Sequence, residues 1–100
     1  MRVLIKEPGK PWVVALIPNT LEALQQAVGG YIETYTIDPQ RGLVIICDEE
    51  GRLADKPFNL RIDGIDFVGT LLLCGFDKDD GEFYNVPDWV VRVLSGHEKW

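Results

Sequence analysis

The sequence predicts an α+β domain, with a mixed or antiparallel sheet of about five to six strands and two helices packed on it. Three observations predict it. Short apolar runs recur along the chain between turn residues. Two stretches, at residues 21–28 and 86–94, switch to the helical spacing of apolar positions. The 100 residues are 46% hydrophobic and 26% charged, enough for one core and too few for two. Residues 1–100 are therefore read as a single domain.

Arg2 to Lys6 is the first apolar run and Trp12 to Ile17 the second. Pro8-Gly9-Lys10-Pro11 lies between them, which predicts a hairpin. Pro18-Asn19 ends the second strand. Asn19 is the expected helix cap, with Glu22 three residues on in the capping-box position. Leu21, Leu24 and Val28 give the helix one buried stripe, and Gly29-Gly30 ends it. Tyr31 to Ile37 alternates as a strand, with Tyr31, Glu33, Tyr35 and Ile37 on one face. The turn Asp38-Pro39-Gln40-Arg41-Gly42 leads into Leu43 to Cys47, apolar throughout and expected to be a central strand.

Residues 48–66 show no sustained period and are read as a long loop, a kind of segment that is often functional when ordered. Val68 to Phe76 is a further apolar strand, interrupted by Gly69 and Gly75, and Glu82-Phe83-Tyr84 returns across a polar turn. Val86, Trp89, Val90, Val93 and Leu94 define the apolar face of a last helix, with Pro87 near its first turn. Trp12 and Trp89 are expected in the core, whereas no pattern places Trp100.

The net charge is −6, and the whole excess lies in residues 48–82, where ten acidic side chains face four basic ones. One side or end of the fold is expected to be negative. That disfavours a nucleic-acid backbone, which requires clustered Lys and Arg, and leaves room for a protein partner with a basic surface or for a metal. Asp48, Glu49, Glu50, Asp77, Asp79 and Asp80 are the candidate partner-binding residues. The chain has no apolar stretch long enough to span a membrane and no signal-peptide pattern, so a cytoplasmic location is expected.

Cys47 and Cys74 each sit in an apolar run and read as buried thiols of a reducing compartment. With one histidine, His97, neither a nucleophilic triad nor a four-ligand zinc site is expected. Asp77 to Glu82 resembles a calcium loop only in its acidity. Counted from Asp77, Glu82 occupies the position where an EF-hand requires glycine, so an acidic turn is expected and no metal. No cofactor motif and no catalytic residue is found. Tyr31 and Glu33, with Asn59 and Arg61 from the long loop, form the candidate ligand-binding set. Aromatic stacking, a carboxylate, an amide and a guanidinium suit a nucleotide-like molecule.

Leu21 to Gln25, Val28 to Glu33, Cys47 to Gly51, Pro57-Phe58-Asn59 and Ile65 to Thr70, in that order and spacing, resemble the domain-of-unknown-function family DUF3846. The resemblance brings no activity or catalytic residue. It implies a small accessory protein of a phage or other mobile element that meets host machinery. The expected function is a non-enzymatic binding protein that sequesters or blocks a host component, by protein docking or by holding a nucleotide-like ligand. The alternatives are a metal-dependent phosphohydrolase acting on a small phosphorylated signal, and a structural or assembly protein. Apolar strands that leave an edge exposed would also allow a homodimer.

Overall fold

The computed structural model describes residues 1–94. Ten elements follow in order: β1 (Arg2–Lys6), β2 (Val13–Leu16), α1 (Leu21–Val28), β3 (Ile32–Asp38), β4 (Leu43–Asp48), β5 (Phe58–Ile62), β6 (Ile65–Val68), β7 (Leu71–Asp77), β8 (Glu82–Tyr84) and α2 (Asp88–Leu94). The main sheet runs β2-β1-β7-β4-β3, and β8 also pairs with β7. Every pairing is antiparallel. The β5–β6 hairpin is a separate two-stranded sheet. The predicted α+β class holds, with six strands in the main sheet.

β4 and β7 are apolar on both faces because both faces are covered. Alternation sends Leu43, Ile45 and Cys47 to one side, where they pack with Phe67, Val86, Val90 and Val91. Val44 and Ile46 go to the other, against Leu24 and Val28 of α1. The hairpin and α2 thus close one face and α1 the other, a layering that hides about two apolar stripes per central strand. No helix among the described residues is long and apolar enough to cross a membrane.

Several expectations need correction. The helix cap is Thr20, whose Oγ1 accepts from the Ala23 N–H; Asn19 instead donates its side-chain amide to the Phe83 carbonyl. Residues 48–66 are not one loop, since β4 reaches Asp48 and the hairpin begins at Phe58. The buried face of α2 is Val90 and Val91, while Val93 and Leu94 are exposed. Trp89 is on its outer side, with the Arg41 guanidinium 5.2 Å from its ring centre, whereas Trp12 does pack on the core. His97 and Trp100 lie outside the described residues.

The acidic residues do not share one end. Leu43 opposes Gly75 and Ile46 opposes Leu72, so Asp48, at the end of β4, and Asp77, at the end of β7, occupy opposite ends of the pair. At about 3.4 Å per residue they are roughly 20 Å apart.

Candidate functional site

The segment from Glu49 to Pro57 leaves the end of β4 and is pinned beneath by a buried ion pair. Alternation along β4 aims Asp48 at the α1 face, where its side chain is 6% exposed. A carboxylate there requires a partner. Lys56 supplies it, with Nζ 2.7 Å from Asp48 Oδ2, and the same ammonium donates to the Val28 carbonyl at the end of α1 at 2.9 Å. Asp48 Oδ1 accepts from the Glu50 N–H at 2.9 Å. The hydrogen bond from Lys56 holds the Asp48 carboxyl below its ordinary range, against the opposing effect of burial. Main-chain bonds complete the loop, with Lys56 N–H donating to the Gly51 carbonyl and Ala54 N–H to that of Glu50.

The residues carrying the family resemblance converge here. The Glu49 N–H donates to the Tyr31 carbonyl, joining Val28–Glu33 to Cys47–Gly51. A Cβ at Gly30 would lie 2.5 Å from Asp48 Oδ1, so only glycine lets the chain pass so close to the ion pair. Gly69 N–H donates to the Pro57 carbonyl, and Asn59 donates to the Gly69 carbonyl at 2.7 Å.

Two hollows flank the loop. One, of about 410 Å³, lies against the C-terminal end of α1 and is lined by Gln25, Gly30, Tyr31, Glu50, Ala54 and Lys56 among others. The other, of about 110 Å³, lies toward the hairpin and includes Glu33, Tyr35, Glu49, Arg52 and Asp66. Tyr35 packs edge-on against Phe67, ring centres 5.1 Å apart, and its hydroxyl is held above its ordinary pKa first by a hydrogen bond with Glu33. Burial pushes the Cys47 thiol up to about 11 and the Cys74 thiol up to about 12. Both are therefore protonated at neutral pH and poor nucleophiles.

The four candidate ligand-binding residues are not gathered together. Tyr31 precedes β3 and lines the α1-side hollow, two-thirds exposed. Glu33 lines the hollow toward the hairpin. Asn59 is the extra residue of a β-bulge between Phe58 and Leu60, which turns it into the core. There its amide donates to the Lys6 and Gly69 carbonyls and its oxygen accepts from Lys6 Nζ, so no polar group is left over for a ligand. Arg61 is committed across the hairpin to Asp66 through Nε and Nη2 at 2.6 and 3.2 Å. This pairing raises the guanidinium pKa and lowers the carboxyl one.

Of the candidate partner-binding acids, Asp48 is buried and paired, which removes it from any docking surface. Asp77 and Asp80 hold their own turn, accepting from the Asp79 and Glu82 N–H groups, and the Tyr84 hydroxyl donates to Asp80. Glu49 and Glu50 are exposed, and among the described residues their carboxylates have no hydrogen bond or ion pair. Among those residues no three His, Cys, Asp or Glu side chains are grouped to hold a metal ion. Sequence reasoning missed Lys56 and Arg52. A lysine inside the acid-rich stretch, just before Pro57, was the available signal for an internal counter-ion.

No curated protein and no solved structure matches the chain. The description "Domain of unknown function (DUF3846)" matches residues 1–97. The coverage is almost complete, and the chain belongs to the DUF3846 family.

Proposed function

We propose that this is a non-enzymatic binding protein that acts by occupancy, its 49–56 loop docking on a basic surface of a partner protein. In the setting that the family resemblance implies, the protein comes from a phage or other mobile element and the partner is a host component, which it blocks. One observation carries the reading. Glu49 and Glu50 stand exposed, without partners among the described residues, on a loop that a buried ion pair fixes in place. A preformed loop loses little conformational entropy on binding. The hollow beside it suits a cationic side chain. Glu50 supplies a free carboxylate there, since the Lys56 ammonium is already taken up by Asp48 and the Val28 carbonyl, and the exposed Tyr31 ring offers a face to a guanidinium or ammonium group.

The test is affinity capture from host lysate, followed by titration of the captured protein against this one at about 50 and about 500 mM salt. Affinity should fall at least about tenfold at high salt and by a similar factor for the Glu49→Gln/Glu50→Gln variant. A complex indifferent to both changes overturns the docking surface. Chelator-sensitive turnover of a phosphorylated metabolite overturns action by occupancy.

A further inference from the structure

The edges of the main sheet are unequally protected. β3 carries Glu33 and has a register irregularity between Thr36 and Asp38, and β8 has only three residues, beginning with Glu82. Charge, bulges and shortness all discourage another strand from pairing. β2, though only four residues long, has neither a charge nor a bulge within it. Pro11-Trp12-Val13-Val14-Ala15-Leu16-Ile17-Pro18 holds no charged residue, and Val13, Val14 and Leu16 are 52%, 45% and 79% exposed.

The ladder fixes which groups of β2 are free among the described residues. Met1 and Ile17 exchange both main-chain bonds, and the register runs through Arg2–Leu16, Val3–Ala15, Leu4–Val14 and Ile5–Val13. Bonded pairs alternate with unbonded ones. Val13, Ala15 and Ile17 therefore direct their N–H and C=O groups to β1, and Val14 and Leu16 direct theirs outward. We infer that β2 pairs antiparallel with β2 of a second copy about a two-fold axis at Ala15. Val14 of each copy then bonds Leu16 of the other, using every outward main-chain group within β2, and the two prolines end the pairing on either side.

The self-complementary register and the neutrality of the strand favour this occupant, while net charge and area set its strength. The strand is neutral, so each copy offers what the other needs without burying a charge. Each molecule nonetheless carries −6, so the copies repel at a distance. A strand of four residues covers far less than the roughly 800 Å² per partner of a standard interface. The dimer is therefore weak, with a dissociation constant of about 10–500 µM, and it tightens with added salt. That is opposite in sign to the acidic docking proposed above, on which it does not depend.

Sedimentation velocity from about 10 µM to about 1 mM, at low and high salt, provides the test. Val14→Pro removes an outward N–H and spares the ladder to β1, and Leu16→Lys puts charge on the edge. Both variants should be monomeric with unchanged circular dichroism, and Ala15→Cys should form a disulfide-linked dimer on mild oxidation, because residues 15 of the two copies face each other across the axis. A wild type monomeric throughout overturns the inference. So does a dimer that survives both edge variants, or an Ala15→Cys protein that stays unlinked.

Discussion

Asp48 stands one residue beyond Cys47, on a strand whose alternation aims it at α1, and its charge must therefore be answered inside the protein. Removing one member of such a pair leaves the other buried and unpaired, which costs up to about 3–5 kcal/mol. Lys56 keeps a quarter of its side-chain exposure, so Lys56→Met or Asp48→Asn should cost about 2–3 kcal/mol in urea unfolding. The double variant should cost less than the sum, because neither charge is then stranded. The pH dependence follows from the same pair. The folded Asp48 pKa lies below its unfolded value, so its stabilisation is fully present above the unfolded value of about 3.9 and is lost as pH falls through the folded one. Asp48→Asn should accordingly lose less stability on acidification than the wild type. Composition revealed a negative stretch, but it could not separate Asp48 from Glu49 and Glu50. That separation depends on which way one residue at a strand end points, and only the paired sheet decides it.

The β5–β6 hairpin was the element that periodicity failed to show, although its turn was written in the chain. Asp63 and Gly64 have φ of 51° and 77°, the two left-handed residues that a type I′ turn requires, and Asp-Gly between apolar runs is the usual signal for it. Phe58, Leu60 and Ile62 do alternate, but the bulge at Asn59 shifts the parity, leaving Phe58 exposed and Asn59 buried. An uninterrupted period-two search is misled at that point. Gly64→Ala should cost about 1 kcal/mol through the strained φ alone, since open space surrounds the Cβ. Asn59→Ala should cost more, about 2–3 kcal/mol, because the Lys6 and Gly69 carbonyls both lose their donor. Thermal unfolding of the two variants checks the order. β1, β2, α1, β3 and β4 were legible because their apolar patterns run unbroken between clear turn or cap residues. The candidate ligand set was not, because Asn59 and Arg61 are polar residues whose partners, Gly69 and Lys6 in one case and Asp66 in the other, come from elsewhere in the fold.

For the whole molecule, antiparallel pairing of β4 with β7 divides what the sequence presents as one acidic region. Glu49 and Glu50 lie at one end of the sheet and Asp77, Asp79 and Asp80 at the other, roughly 20 Å apart along the strands. That is about twice the screening length at 0.1 M salt, so a partner docked at one end feels little of the other. The two ends can be neutralised separately. Asn in place of Asp77 and Asp80 keeps the side-chain oxygens that accept from Asp79 and Glu82, so Asp77→Asn/Asp79→Asn/Asp80→Asn preserves the turn while removing three charges. Glu49→Gln/Glu50→Gln removes only two. If net charge alone governed encounter, the triple variant would slow association more. Docking through the 49–56 loop requires the reverse order in stopped-flow measurements at low salt, with about tenfold slowing for the double variant and less than about twofold for the triple. The opposite order would transfer the docking surface to the β7–β8 turn. There Lys78 and Arg41 help line a hollow of about 410 Å³ alongside Asp77 and Asp79, and a mixed-charge surface of that kind would select a different partner from the acidic loop.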